Sequence, residues 1–163
     1  MKVRNITEAA NDENEDTKDK GKIRVFVYGT LKSTLGNHKL ISNSDGEFLG
    51  LNSTTGAYQM FNMGGFPAVM SDALHTNDSI QVRGELWTIN DAGLAALDLL
   101  EGNPLFFSRR KIWTDNPRKR AWMYFLTEGW RDEVRVANEV PHCLWKPTTK
   151  EEIYWELPTK AVA

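Results

Sequence analysis

The amino-acid sequence predicts an α+β domain built on a curled sheet or barrel. Several short segments rich in β-branched and aromatic residues alternate with glycine and proline turns, whereas only one segment has a strong helical pattern. Many strands with few helices are typical of an α+β or barrel architecture. The length of 163 residues indicates one domain, which is large enough to bury a core without disulfides or metal.

The overall composition narrows the classes of function. Charged residues make up 26% of the chain and the formal net charge is -2, so no overall field favours nucleic acid or an acidic membrane. No apolar run reaches the roughly 20 residues of a membrane span, and the first residues lack the apolar core of a signal peptide. The single cysteine, Cys143, excludes an intramolecular disulfide and fits a reducing cytoplasm.

Residues 1–22 predict a flexible polar tail. The stretch NDENEDTKDKGK mixes both charge signs and has no large apolar residue. Such a segment cannot bury enough surface to offset the entropy cost of ordering. We interpret it as a solvated leader, and we place a single domain at residues 23–163.

From residue 23 the chain carries strand patterns. Residues 23–28 alternate as a strand does, and AYQMF, at 57–61, is a second short strand before the glycine turn in NMGGFPAV. The third strand is residues 82–89. RRKIWT and AWMYFLT form a hairpin around DNPRK. The proline-containing final segment is expected to wrap the surface, with a short helix at residues 151–155.

One segment, NDAGLAALDLLEG, is clearly helical. It begins at a good N-cap, Asn90 or Asp91, and it ends at Gly102. This helix connects the third predicted strand to the hairpin.

The predicted helix carries a carboxylate on its apolar side. Leu94, Leu97 and Leu100 form one stripe, and Glu101 falls within about 40° of the centre of that stripe. Either the helix frays and Glu101 bends out to water, or the carboxylate occupies a partly desolvated pocket. In a pocket, desolvation would raise its pKa toward the range that a general base and acid needs. Asp98 lies on the flank, where we expect it to pair with a nearby cation.

The segment VFVYGTLKSTLG, residues 25–36, breaks a strand at a glycine. Successive backbone N–H groups without ladder partners form a nest that suits an anion, and Gly29 would let a ligand approach the backbone closely. The spacing of lysine and glycine differs from that of a nucleotide-binding phosphate loop. On the pattern alone, an ordinary strand-to-turn junction is the alternative.

Five segments in this order resemble the gamma-glutamylcyclotransferase-like superfamily, most closely its gamma-glutamylamine cyclotransferase branch. They are VFVYGTLKSTLGNH, YQMFNMGGFPAV, VRGELWTIN, LDLLEGNPLFFSRR and AWMYFL, which together run from about Ile23 to Leu126. The resemblance implies a small mixed β-barrel flanked by a few helices, with one cavity. It also implies an enzyme that cyclises a gamma-glutamyl group to 5-oxoproline and releases an amine.

The resemblance implies roles for individual residues. Glu101 falls on the family's catalytic glutamate, which acts as general base and acid. The implied substrate-binding positions are Tyr28, Gly29, Thr30, Leu31, Phe66 and Phe107. At the last of these, six residues after the glutamate, relatives often carry tyrosine. This chain therefore lacks a hydroxyl that could orient substrate, although the phenylalanine ring can supply a wall.

The chemistry is consistent with those residue types. The substrate ammonium must lose a proton before its nitrogen attacks the γ-carbonyl, and one carboxylate can remove that proton and later deliver one to the leaving amine. Because the nucleophile belongs to the substrate, no serine, cysteine, metal or cofactor is required. Backbone N–H groups can hold the α-carboxylate or the developing oxyanion. The expected partner is a small gamma-glutamyl compound; the leaving amine and the oligomeric state are left open.

Other functions remain as alternatives. A catalytically lapsed fold could bind a small ligand or a peptide, although the retained glutamate argues against this. Residues 109–111 face residues 118–120 across the hairpin, and their six cations could contact the phosphates of a nucleic acid. A charged edge that prevents pairing with other chains is the simpler interpretation. The three histidines and Cys143 have no metal-ligand spacing; His38 is expected to form a hydrogen bond or cap a helix.

Overall fold

The computed structural model describes residues 16–33, 35–70, 80–134, 139–140 and 143–145. In those ranges the strands are β1 (Lys18–Asp19), β2 (Lys22–Val27), β3 (Glu47–Tyr58), β4 (Met60–Asn62), β5 (Pro67–Val69), β6 (Ile80–Ile89), β7 (Phe107–Trp113) and β8 (Arg120–Leu126). The helices are α1 (Lys39–Ser42), α2 (Asp91–Leu100) and a 3₁₀ helix (Glu128–Glu133). Within these ranges, no helix has the length and apolar character that crossing a membrane demands.

Six strands form one mixed, curled sheet. Its order is β3-β6-β2-β8-β7, with β1 paired to β2, and only the β2–β8 pairing is parallel among the described strands. The two ends of this order meet, because Thr54 of β3 forms an antiparallel bridge with Thr114, directly after β7. Asn52 Oδ1 adds to this contact by accepting from the N–H groups of Asp115 and Asn116 at 3.1 and 3.0 Å. The predicted α+β fold with a curled, barrel-like sheet is confirmed.

The core lies on both faces of β2. Val25 and Val27 point into an apolar cluster that also contains Leu97 of α2. Phe26 points to the opposite face, where it joins a second cluster with Met123. Because side chains alternate along a strand, a strand that is apolar on both sides is buried on both sides. Each fully buried side chain of this size contributes about 1.5–3 kcal/mol.

Helix α2 begins and ends as the sequence predicts. Asn90 is the N-cap, and its Oδ1 accepts from the Gly93 N–H at 2.7 Å. Gly102 follows the helix with a φ of +63°, a conformation that glycine adopts without strain. Leu97 is fully buried, but Leu100 is 43% exposed, so the apolar-stripe prediction is wrong for that last leucine. The final turn lies beside a cavity rather than against the sheet.

Strand β3 was not predicted as a strand. Its twelve residues include several Ser, Thr, Asn and Gly, and its pairing with β6 is irregular between Phe48 and Gly50 and again near Ser53. These irregularities disrupt the two-residue alternation that identifies a strand. The predicted strand at 57–61 spans the break between β3 and β4. The predicted helix at 151–155 lies outside the described residues.

The N-terminal boundary differs from the prediction. Residues 16–22 pack on the sheet, and Thr17 is fully buried. The Arg24 guanidinium, in a residue only 7% exposed, donates to the carbonyl oxygens of Asp16 and Lys18 at 2.6 and 2.7 Å. The prediction of a flexible tail is therefore wrong for residues 16–22. Residues 1–15 lie outside the described residues.

Two truncations measure this contribution. We expect deletion of residues 1–21 to lower the free energy of unfolding by about 1–3 kcal/mol more than deletion of residues 1–15, because the buried Arg24 guanidinium loses two acceptors. Urea denaturation of the two truncated proteins measures the difference. Equal stabilities would show that residues 16–21 contribute nothing to the domain.

Candidate active site

A cavity of about 320 Å³ lies where the end of β2, the start of β5 and the end of α2 meet. The structure places around it all seven residues singled out from the sequence: Tyr28, Gly29, Thr30, Leu31, Phe66, Glu101 and Phe107. Its further lining residues are Phe26, Val27, Asn37, Gly65, Pro67, Leu100, Phe106 and Tyr124. The structure therefore brings distant parts of the chain together, whereas the roles of the seven residues stay predictions.

The loop after β2 is held in a turn by its own hydrogen bonds. The Lys32 N–H donates to the Gly29 carbonyl at 3.0 Å. The Asn37 N–H donates to the Thr30 carbonyl at 3.0 Å, and the Asn37 side chain donates to Thr30 Oγ1 at 2.8 Å. In the described part of the chain, no protein acceptor takes a hydrogen bond from the N–H groups of residues 29–31. Residues 29–31 all line the cavity, and successive N–H groups without protein partners suit an anion.

Glycine at position 29 has a packing reason that the sequence did not indicate. A Cβ atom at Gly29 would lie 2.9 Å from Cγ of Pro67, the first residue of β5. That separation is shorter than van der Waals contact between two carbons. The close approach of β5 to the loop is therefore one reason for glycine at this position, and the approach of a ligand to Gly29 stays a prediction.

Glu101 is the C-cap residue of α2, and its N–H donates to the Leu97 carbonyl at 2.9 Å. Among the described residues, its carboxyl group has no hydrogen-bond or salt-bridge partner, and no other cavity-lining side chain carries a formal charge. Burial without a compensating partner raises the pKa of Glu101 from 4.5 to about 7. Near neutral pH this carboxyl group can therefore both accept and donate a proton.

Two tyrosines form a hydrogen-bonded support beside Glu101. The Tyr28 hydroxyl donates to the Tyr124 carbonyl at 2.8 Å, and the Tyr124 hydroxyl donates to Asp98 Oδ1 at 2.6 Å. Burial, with the negative charge of Glu101, raises the pKa of the Tyr28 phenol above its ordinary value. Burial and the bond to Asp98 do the same for the pKa of Tyr124. Both phenols are therefore neutral near pH 7.

Tyr124 is a cavity residue that the sequence analysis missed. In AWMYFLT it resembles any other aromatic residue of a strand. The sequence feature that could have indicated Tyr124 is Asp98 on the flank of α2, because a partly buried carboxylate needs hydrogen-bond donors. The expectation that Asp98 pairs with a cation is confirmed, since Arg109 Nε lies 3.0 Å from Asp98 Oδ1.

An aromatic wall closes one side of the cavity. Phe106 and Phe107 pack edge to face with their ring centroids 4.8 Å apart, and Phe66 lies 6.0 Å from Phe106. Trp130 packs edge to face on Phe106, with the ring centroids 4.6 Å apart. Phe107 is only 4% exposed. Its ring therefore forms part of the wall, at a position where it offers no hydroxyl.

His38 forms a hydrogen bond rather than a cap. It precedes α1 but makes no side-chain capping bond, and its Nδ1 lies 2.9 Å from the Leu31 carbonyl. Since a carbonyl only accepts, Nδ1 carries the hydrogen. Of the two predicted roles, hydrogen bonding is therefore confirmed, and the bond goes to the loop after β2.

Three of the six cations of the β7–β8 hairpin are paired with aspartates. Arg109 pairs with Asp98, as described above, while Lys111 and Arg120 both pair with Asp16, at 2.9 and 3.6 Å. Arg118 stacks over the Trp113 ring at 4.5 Å. Because Asp98 and Asp16 pair with three of the six cations, less positive charge is available for contacts with phosphate groups. This geometry favours a charged strand edge over a nucleic-acid surface.

No group of three or more His, Cys, Asp or Glu side chains in the described ranges is arranged to hold a metal ion. The chemistry that this cavity offers comes from one proton-transfer carboxyl group, three backbone donors and two neutral phenols. The expectation that no metal or cofactor is needed stays a prediction.

Comparisons with known proteins give consistent matches. Residues 25–147 match the family model described as "Gamma-glutamyl cyclotransferase, AIG2-like". A Vibrio cholerae protein provisionally named gamma-glutamylcyclotransferase is 34% identical over 107 residues, which cover 66% of this chain and 84% of that protein. The Escherichia coli K12 gamma-glutamylcyclotransferase family protein YtfP is 34% identical over 104 residues, covering 63% and 80%.

A fold comparison agrees with the sequence matches. The crystal structure of a mouse AIG2-like protein superposes with a TM-score of 0.58 at 22% identity. The alignment covers 79% of this chain and 97% of the mouse chain. At this identity the likeness concerns the fold, and it supports the curled-sheet architecture described above.

Proposed function

The chain belongs to the gamma-glutamyl cyclotransferase, AIG2-like family, and on that basis we propose that it converts the gamma-glutamyl group of an amide to 5-oxoproline and releases an amine. The observation that carries the proposal is one cavity that combines the unpaired carboxyl group of Glu101 with the free N–H groups of residues 29–31. The proposal needs no cofactor. A cytoplasmic location stays a prediction from the single cysteine.

The first chemical step is proton removal from the substrate. A gamma-glutamyl compound enters with an α-ammonium group, and the ionised carboxylate of Glu101 is the one formal counter-charge among the described lining residues. Its raised pKa, about 7, makes it a stronger base than an exposed glutamate. Removal of one ammonium proton leaves a neutral amine, whose lone pair attacks the γ-carbonyl carbon.

The second step releases the amine. Attack forms the five-membered ring and places negative charge on the former carbonyl oxygen. Glu101, which now holds the proton, delivers it to the departing nitrogen as the original amide C–N bond breaks. The regenerated carboxylate then takes the second proton from the ring nitrogen and passes it to the released amine, so the products are 5-oxoproline and an ammonium ion, with Glu101 again ionised. The enclosed cavity favours the folded substrate conformation in which the ring can close.

The α-carboxylate is assigned to the loop N–H groups. No Lys or Arg is among the described lining residues, so a carboxylate in the cavity finds its donors in the backbone of residues 29–31. Successive backbone N–H groups without protein partners can form an anion-binding concavity. This arrangement separates the two charges of the substrate, with the carboxylate at the loop and the ammonium at Glu101.

The leaving amine faces the aromatic wall. With the glutamyl part between the loop and Glu101, the remaining cavity surface includes the aromatic wall of Phe66, Phe106 and Phe107. The phenylalanine at position 107 leaves this side without the hydroxyl that relatives often carry there. The Tyr124 hydroxyl does not replace it freely, since it already donates to Asp98.

A panel of gamma-glutamyl amides tests the proposed function. Purified protein should release 5-oxoproline from at least one of a gamma-glutamyl amino acid, a gamma-glutamyl alkylamine, ε-(gamma-glutamyl)lysine and a gamma-glutamyl peptide. The negative control is the same protein carrying Glu101→Gln. Absence of 5-oxoproline from the whole panel, with small ligands or peptides still bound, would favour the catalytically lapsed binding fold.

The pH dependence tests the assignment of the base. Because the active form of Glu101 is deprotonated, kcat/KM for 5-oxoproline release should fall as the pH drops through about 7. The midpoint of this fall gives the pKa of the base in the free enzyme, since kcat/KM refers to unbound protein and substrate. An acid limb centred near pH 4.5, the ordinary value of an exposed glutamate, would contradict the desolvated site.

A further inference from the structure

A second acidic residue, Glu85, lies beneath the substrate loop. It belongs to β6 and is fully buried. The β2–β6 register places it opposite Val27, the last residue of β2 before the loop begins. Alternation along β6 puts Trp87 on the same face, against the apolar cluster that contains Leu97. A buried carboxyl group on this apolar face requires a compensating set of hydrogen bonds.

The partners of Glu85 include the loop itself. Its Oε1 accepts from the Ser33 N–H at 2.7 Å, and its Oε2 accepts from Ser33 Oγ at 2.7 Å. Its third donor is Trp87 Nε1, 3.1 Å from Oε1. Two of the three bonds that the described residues make to this carboxyl group therefore go to a single residue, Ser33, which lies two positions after Leu31.

We propose that Glu85 is a positioning residue, which clamps Ser33 and thereby keeps the N–H groups of residues 29–31 directed at the α-carboxylate of the substrate. The inference rests on the proposed function of the same cavity. Glu85 touches neither substrate nor reacting atoms. It acts by fixing one end of a turn whose other end, at Gly29, is fixed by packing on Pro67.

A second contact supports the clamp. His38 donates from Nδ1 to the Leu31 carbonyl and packs on the Trp87 ring, with centroids 4.9 Å apart. Trp87 in turn donates to Glu85. The loop is therefore attached to β6 at Ser33 directly and at Leu31 through His38 and Trp87. A loop held at two points keeps its free donors in place before substrate arrives, which reduces the entropy cost of binding.

Two clamp variants and two controls test the inference. Ser33→Ala removes one bond to the carboxyl group, and Glu85→Ala removes all three. Glu85→Gln keeps an acceptor for the Ser33 N–H and offers an amide to its hydroxyl, so it is the conservative variant. Leu86→Val shortens a buried side chain on the opposite face of β6, outside the clamp, and controls for general destabilisation of β6.

Kinetics of 5-oxoproline release at a temperature where every variant is folded give the first readout. We expect Ser33→Ala to raise KM about tenfold and Glu85→Ala about 30-fold or more, with kcat changed less than threefold. Glu85→Gln and Leu86→Val should stay within threefold of the parent KM. A purely structural role would lower the melting temperature of Glu85→Ala without moving KM, and that result would overturn the inference.

Hydrogen exchange gives a readout that does not depend on turnover. The Lys32 and Asn37 amides, which close the turn, should exchange at least tenfold faster in Ser33→Ala and Glu85→Ala than in Leu86→Val. Unchanged exchange would refute the clamp even if the enzyme is active. Faster exchange in a protein that forms no 5-oxoproline would support the clamp and refute the proposed function, so the two failures are distinguishable.

Discussion

Replacing Glu101 with glutamine is expected to lower kcat/KM for 5-oxoproline release at least about 100-fold. This is the usual contribution of a positioned general acid-base group. Glutamine preserves the shape of the side chain but cannot take up the ammonium proton. The carboxyl group has no described protein partner, so the substitution breaks no hydrogen bond. A time course of product formation across the active substrates measures the loss.

The same substitution should not destabilise the fold. Since the pKa of Glu101 is raised in the folded protein, its effect on stability is neutral below about 4.5, becomes progressively unfavourable between about 4.5 and 7, and stays unfavourable at higher pH. Glu101→Gln should therefore match the parent at pH 4 and exceed its free energy of unfolding by about 1–3 kcal/mol at pH 8.5, a range reduced for partial solvent contact. Urea denaturation at both pH values measures this.

Glu128→Gln provides a matched control for Glu101→Gln. It makes the same chemical change at an exposed glutamate, which pairs with Arg131 outside the cavity. Its turnover should equal that of the parent. Near-normal turnover in Glu101→Gln would remove the carboxyl group from the mechanism, and equal losses in both variants would point to a general charge effect.

The second large effect is expected from Gly29→Val, which should weaken 5-oxoproline binding at least about 30-fold. The added Cβ would lie 2.9 Å from Pro67 Cγ, so either β5 or the loop must move. Overpacking of this kind costs about 1–3 kcal/mol, and movement of the loop displaces the donors that hold the carboxylate. Gly29→Ala should have a smaller effect in the same direction. Calorimetric titration with 5-oxoproline measures both.

Removal of the proline ring identifies the reason for the glycine. If Pro67 is the obstacle, Gly29→Ala combined with Pro67→Ala should bind 5-oxoproline more tightly than Gly29→Ala alone. Thr30→Ala keeps the backbone N–H and should change affinity less than Gly29→Val. A double variant no tighter than Gly29→Ala would mean that the ligand itself needs the space at position 29.

Local patterns determined much of the fold. The alternation in residues 23–28 predicted β2, and the cap at Asn90 with the stop at Gly102 predicted α2 within a residue at each end. The turn DNPRK predicted the β7–β8 hairpin. In each case a few neighbouring residues set the backbone conformation, so their spacing in the sequence predicts the helix, strand or turn that they form.

The candidate site was partly accessible in the same way. Glu101 stood out because a helical wheel places it near an apolar stripe, and the loop stood out because its strand ends at glycine. The family resemblance joined the two features and added Phe66 and Phe107. All of these residues line the cavity. The same helical wheel wrongly predicted that Leu100 is buried, because the burial of the last turn depends on where the helix leaves the sheet.

Tertiary structure alone decided how the site is held together. The contact of Gly29 with Pro67, the clamp from Glu85 to Ser33 and the bond from Tyr124 to Asp98 each join residues that are 26 to 52 positions apart. Arg24 likewise converts residues 16–22 from an apparent tail into part of the sheet. Sequence periodicity records only neighbours within one helix or strand. Contacts between elements depend on sheet register and curvature, which the whole chain sets together.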